Sequence, residues 1–250
     1  ARLMAYGVFA DVYDAFNEDA DYYALHKAVK SRLKAHGVND GIVVDLGCGT
    51  GDLTLLLAQD GYDMIGVDLS DEMLCILREK AEEQNVSNLL LLCQNLLDLD
   101  LYGTVRAAVS TFDTLNHIGP YADFCKAIQR AALFIEPNGL MLFDMNTPYK
   151  HEHVLENQVF ELEAEDVYCT WSNQLDEKAR LTQITIDLLD KDTGVRESES
   201  FQEYYYTMDE IRNACEAAGL KILEICDGER FGPLRNDSER YLITAIKREK

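Results

Sequence analysis

Apolar positions along the chain follow two periods, and the switch between them predicts the architecture. From Tyr22, the residues Leu25, Val29 and Leu33 recur at helical spacing, and Gly37 and Asn39 close that helix. Ile42 to Leu46 reads as a buried strand, Leu53 to Ala58 as a helix, and Met64 to Val67 as a second strand ending in Asp68. Ser70 then predicts an N-cap, with Asp71 and Glu72 in a first turn where acids suit the helix dipole. Met73, Leu74, Leu77 and Ala81 form the apolar face of that helix, and Asn85 sits at its stop. Leu89 to Cys93 is the third strand, Val105 to Phe112 the fourth and Leu140 to Met145 the fifth. A helix marked by Tyr121, Phe124, Cys125, Ile128, Ala132 and Ile135 separates the last two and runs into the turn Glu136-Pro137-Asn138-Gly139.

After residue 150 the alternation of helix and strand stops. Val159 to Leu162, Val167 to Leu175, Leu181 to Leu189 and Val195 to Tyr206 read as successive strands, with Asp192-Thr193-Gly194 as a hairpin turn. Thr207-Met208-Asp209-Glu210 is a capping box opening a helix with Ile211, Cys215 and Ala218, stopped by Gly219. Lys221 to Cys226, a polar loop with Arg230 and Phe231, and Tyr241 to Lys247 complete the pattern. The fold class is α/β: a doubly wound, mostly parallel seven-stranded sheet with a small antiparallel β-sheet cap inserted. The main domain is expected over 1–149 and 207–250, and the cap over 150–206.

The candidate chemistry begins at the first strand. Asp45-Leu46-Gly47-Cys48-Gly49-Thr50-Gly51 is a glycine-rich turn between strand and helix, and Asp68 ends the next strand. That order suits a nucleoside: glycines let the backbone approach a ligand, and the acid accepts from ribose hydroxyls. The dinucleotide fingerprint requires glycines at its first, third and sixth positions, whereas here Asp52 stands at the sixth. An acid at a helix N-terminus opposes a pyrophosphate and tolerates a ligand without phosphate. The glycine turn, followed by Gly66-Val67-Asp68-Leu69-Ser70-Asp71-Glu72-Met73-Leu74, resembles the first two motifs of class I S-adenosylmethionine-dependent methyltransferases. The resemblance implies a Rossmann-like fold, S-adenosylmethionine as cofactor and methyl transfer to a nitrogen or oxygen atom of a small-molecule acceptor. A nicotinamide-dependent oxidoreductase and a non-catalytic cofactor-binding module are the competing readings.

The resemblance also implies residue roles. Cofactor contacts are expected from Asp45, Gly47, Cys48, Gly49, Gly51, Asp68, Leu69 and Met73. Asn95 stands where the family usually has an acid facing the adenine amino group, with Leu96 beside it, and Phe112 offers a backbone carbonyl. Phe9 to Asp14 resembles an N-terminal lid within helices spanning 1–38, which would put Tyr13 near the methyl donor and Tyr6 at the cofactor edge. The loop after the fourth strand should face the transferable methyl group, because ligands lie beyond the carboxyl ends of strands in such sheets. His117 is the candidate base there, with Asp113 and Asn116 beside it, and Trp171, Tyr204 and Arg230 are candidate substrate contacts. Trp171 and Tyr204 to Tyr206 equally suit packing of a two-sided sheet. A similar β insertion occurs in sugar-amine N-methyltransferases.

Composition narrows the partners. The 250 residues include 23 Lys and Arg against 45 Asp and Glu, a formal net charge of −22. Nucleic acid and anionic membranes both require basic patches, so neither is expected as a partner. Seven Cys without a Cys-x-x-Cys pair, and no apolar run near the ~20 residues of a membrane helix, point to free thiols in a cytoplasmic protein. The five His have no partners at ligand spacing, and His151-x-His153 reads as loop, so no metal is expected. A homodimer stays open.

Overall fold

A computed structural model describes residues 22–163 and 167–249. The lid segment, with Tyr6 and Tyr13, lies outside the described residues. Helices and strands alternate through α1 (Tyr22–Ala35), β1 (Ile42–Leu46), α2 (Asp52–Gln59), β2 (Asp63–Asp68), α3 (Asp71–Glu83), β3 (Leu89–Cys93), β4 (Val105–Ser110), α4 (Tyr121–Phe134) and β5 (Ile135–Asn146). Four strands follow: β6 (Val159–Glu163), β7 (Val167–Asp176), β8 (Leu181–Asp190) and β9 (Arg196–Tyr204). The chain ends with α5 (Met208–Ala217), β10 (Leu220–Asp227) and β11 (Arg240–Lys247). The main sheet has seven strands in the order β10-β11-β5-β4-β1-β2-β3, and β6-β7-β8-β9 form a separate four-stranded sheet. Within the main sheet β11 runs antiparallel to both β5 and β10, while β1 to β5 are mutually parallel. This is the expected α/β class with its antiparallel insertion.

The near-continuous apolar runs of the inner strands follow from burial on both faces. Val43, Ala107, Val109, Leu140 and Leu142 point into one core with α1 and α2. Their neighbours Val44, Leu46, Ala108, Met141 and Phe143 point into the other, with α4 and α5. Ser70 caps α3 by accepting from the Met73 amide at 3.2 Å. Thr207 and Glu210 form the capping box of α5.

Two strand boundaries differ from expectation. The pairing of β5 begins at Ile135, and the turn with Asn138 at φ 63° bulges out of it as the register shifts between Val105 and Ala107. β4 ends at Ser110, because Phe112 and Asp113 take left-handed conformations at φ 54° and 55°. Such residues cost roughly 1–2 kcal/mol each. Asp144 of β5 offsets that cost: its two carboxylate oxygens accept the Phe112 and Asp113 amides at 2.8 and 2.7 Å. Arg240 at the start of β11 lies 3.2 Å from the same carboxylate and 3.0 Å from that of Asp113. A third difference is at His151 and His153, expected in a loop, which lie in a π-helical turn (Lys150–Leu155) with His151 fully buried.

Two stability experiments follow from this packing. Gly51 has φ +86° and a Cβ there would overlap Leu77, whereas Gly49, at φ +52°, has nothing among the described residues within 4 Å of a Cβ. Gly51→Ala is expected to cost about 2–4 kcal/mol in urea unfolding, and Gly49→Ala only about 1–2 kcal/mol. Equal costs would contradict this account of the turn. Asp144→Ala strands the half-buried Arg240 and two amides, and should lower stability by about 2–4 kcal/mol in the same assay.

Candidate active site

The carboxyl ends of the strands open onto a cavity of about 570 Å³, within the range of small-molecule sites. One side is lined by Gly47, Gly49, Asp68, Leu69, Met73, Asn95, Leu96 and Phe112. The antiparallel sheet supplies another wall through Leu162, Cys169, Trp171, Ile186, Glu199, Phe201 and Glu203. Asp113, His117, Asn146, Lys150 and Arg240 also line it.

The glycine side fits a nucleoside. Asp68 is fixed by the Gly49 amide on one oxygen at 2.8 Å and the Ser70 amide on the other at 2.9 Å. Each oxygen keeps lone-pair capacity for a ribose hydroxyl. Burial raises the Asp68 carboxyl above its usual range, and those two amides hold it back. The open space at the Cβ position of Gly49 is where a side chain would crowd a ligand. Oδ1 of Asn95 accepts from the Leu97 amide at 2.9 Å, which fixes the side chain beside the cavity.

Three residues of the glycine turn serve the turn itself. Asp45 is buried beneath it, accepting from Thr54 Oγ1 at 2.6 Å, and burial pushes its carboxyl up to about 7. Cys48 packs towards Leu55, Leu77 and Ala81, and burial raises its thiol. Gly51 backs onto Leu77. Asp52 faces Lys80 at 3.3 Å, so its charge at the mouth of α2 is balanced.

Opposite the glycine turn lies a polar cluster that sequence order alone does not reveal. One donor atom each from Asp113, His117 and Glu203 lie within 4.8 Å of one another. Asp113 follows β4, His117 lies in a 3-10 turn (Thr114–His117), and Glu203 is on β9. Arg240, Lys150 and His117 hold the Asp113 carboxyl low despite its burial. Burial, reinforced by Asp113, pushes Glu203 up to about 8. Asn146 Nδ2 donates to Glu203 at 3.1 Å, and Lys150 Nζ donates to Asn146 Oδ1 at 3.1 Å. The His117 ring is open to the cavity and packs on Phe201, with ring centres 5.1 Å apart. Protein atoms crowding it lower its pKa, against the pull of Asp113 and Asp68. Behind Glu203, His151 Nδ1 lies 2.8 Å from Thr182 Oγ1, and its Nε2 sits 3.9 Å from Glu203 with no hydrogen-bond partner among the described residues. The triangle has donors suited to a cation, whether an ammonium or a metal ion. Arg240 and Lys150 already answer much of its negative charge.

Three expected substrate residues stand outside the cavity. Asn116 is fully buried and clips β5 to β9: its side chain donates to Tyr204 O at 2.8 Å and accepts from Asn146 N at 2.9 Å. Strand alternation turns Glu203 to the cavity and Tyr204 away, towards Gly119, with its hydroxyl donating to Gln202. Arg230 is exposed and pairs with Asp227 at 3.5 Å. His117 and Trp171 do reach the cavity. Glu203, Glu199, Lys150 and Asn146 were missed. The available signal was acidic residues at alternate positions of β9, on the row that pairs with Ile184 and Ile186.

Comparison with known proteins accords with this geometry. Residues 43–139 match a family model described as a methyltransferase domain. A Geobacillus sp. (strain WCH70) protein carrying a provisional methyltransferase name is 30% identical over 98% of this chain and 100% of its own. The dTDP-3-amino-3,6-dideoxy-alpha-D-glucopyranose N,N-dimethyltransferase of Streptomyces fradiae is 23% identical over 86% of this chain and 85% of its own. The crystal structure of an S-adenosylmethionine-dependent methyltransferase from Clostridium acetobutylicum ATCC 824 superposes with a TM-score of 0.88 at 26% identity, covering 98% of this chain and 99% of that one. Among the described residues, no helix is long and apolar enough to cross a membrane. The chain belongs to the S-adenosylmethionine-dependent methyltransferases.

Proposed function

We propose that the protein transfers the methyl group of S-adenosylmethionine by in-line displacement to a small-molecule acceptor, whose methylated atom is a nitrogen in preference to an oxygen. The observation that carries this reading is the Asp113–His117–Glu203 triangle facing the same cavity as Gly47, Gly49 and Asp68. The name of the Streptomyces fradiae relative, an amino-sugar dimethyltransferase, supports it.

When bound, S-adenosylmethionine supplies a methyl group on a sulfonium that needs no further activation. The residues around it have to align, dehydrate and deprotonate. Asp68 holds the ribose, Gly47 and Gly49 admit the ligand backbone-close, and Met73, Asn95 and Leu96 flank the base. Good alignment of two reactants is worth roughly 7–11 kcal/mol of barrier. Asp113, the acid of the triangle that keeps its charge, attracts an ammonium, Glu203 offers it a carbonyl oxygen, and Trp171 and Phe201 exclude water from it. An ammonium has no lone pair, so a proton must leave before attack. His117 accepts it at a ring nitrogen, and burial against the surrounding protein, which lowers its pKa, favours the neutral ring that can do so.

Two measurements test this reading. Asp68→Ala should weaken S-adenosylhomocysteine binding about 10–100-fold in calorimetry, the worth of one charge-assisted contact, while the circular dichroism spectrum stays native. Unchanged affinity would rule out Asp68 as the ribose anchor. With an amine acceptor found by screening with methyl-labelled S-adenosylmethionine, kcat should fall as His117 becomes protonated, with the acid limb below the ordinary 6.5 of histidine. His117→Ala should lower kcat about 100-fold and abolish that limb. Failure to label any amine or hydroxyl compound, with cofactor binding intact, would favour a non-catalytic module.

A further inference from the structure

The cavity wall contributed by β9 carries a second acid that the methyl-transfer site does not use. Period-two alternation points Glu199, Phe201 and Glu203 to the same side of the strand, and all three line the cavity. Glu203 has Asn146 as a partner. Glu199 differs: its Oε2 is buried with no hydrogen-bond partner among the described residues. Its cross-strand neighbour is Ile186, and Trp171 is the next residue across the sheet. Together with Leu162, Cys169 and Phe201 these give the wall, among the described residues, an apolar surface interrupted by the two acids. Burial raises the Glu199 carboxyl above its ordinary range, with no neighbour offsetting it.

A carboxyl oxygen removed from water and left without a donor is costly, and native interiors seldom leave one so. Here the group sits on the surface of a ligand cavity, where the missing donor can come from the ligand. Glu203 lies four positions after Glu199, about 13 Å along an extended strand. The path between them runs over Phe201 and Ile186, which suits hydrocarbon. We propose that Glu199 forms a second subsite for a basic nitrogen, so that the acceptor is a diamine whose two nitrogens are joined by an apolar spacer. One nitrogen enters the Asp113–His117–Glu203 triangle and is methylated, and the other is held by Glu199. The inference rests on the proposed amine methyl transfer and adds to it the far end of the acceptor.

The test uses 1,8-diaminooctane and octylamine, which share one carbon chain and differ by one nitrogen. Calorimetry first establishes that the full-length protein binds S-adenosylhomocysteine. Each amine is then titrated into that complex, with wild type and with Glu199→Gln. The wild type should bind the diamine about 10-fold or more tightly than the monoamine, the worth of a hydrogen bond to a charged group. Glu199→Gln should erase that preference by weakening the diamine alone, with its thermal midpoint unchanged. Equal affinity of the two amines for the wild type overturns the subsite without any variant, and so does a preference that survives Glu199→Gln. Failure to bind S-adenosylhomocysteine would instead overturn the proposed function beneath it.

Discussion

The carboxylate of Asp144 is the point on which the site hangs. β4 stops one residue before Thr111, and the chain then turns through two consecutive left-handed residues, neither of them glycine. Unaided, that turn would relax. Asp144 holds both amides, and Arg240 comes in from β11 to balance the charge. The backbone so fixed aims Asp113 at the cavity and starts the short 3-10 turn that delivers His117. Strain retained at a functional loop and stabilised by its surroundings is a recurrent device. In this protein the stabilising group lies on the neighbouring strand, so the loop that carries Asp113 and His117 is tied directly to the sheet.

The electrostatics of the cavity follow from the same cluster. Three acids, the buried Asp144 and Glu203 and the half-buried Asp113, share the cations Arg240 and Lys150. Asp113 keeps its charge through Arg240, while burial beside Asp113 drives Glu203 towards its protonated form. The acidity of the whole chain, a net −22, has a local counterpart in the acids that line the cavity. The surface remainder needs no reading beyond solubility.

Legibility in the sequence followed the range of the interactions. The glycine turn, Asp68 and the Ser70 cap are local, and so is the buried face of Met73, Leu74, Leu77 and Ala81, all of which the structure reproduces. Strand ends were less legible, since β4 is terminated by an acid on another strand. The cap side of the site was the least legible part. Tyr204 drew attention as an aromatic, yet parity on β9 gives the cavity Glu203, and parity was fixed only once the register with Thr182 was known. Asn116 looked like a substrate contact because it follows β4, but it satisfies buried backbone groups of β5 and β9. His117 had no partner at any ligand spacing in the sequence. The fold supplies Glu203 from a strand 86 residues on, across an inserted sheet.

The central claim is that one cavity holds the cofactor against Asp68 and presents its methyl end to the Asp113–His117–Glu203 triangle. A crystal structure of the complex with S-adenosylhomocysteine tests it most directly. The account expects the ribose hydroxyls within hydrogen-bonding distance of Asp68, and the sulfur facing the triangle with nothing between them. A ribose bound away from Asp68, or a sulfur walled off from His117 and Glu203, would contradict it.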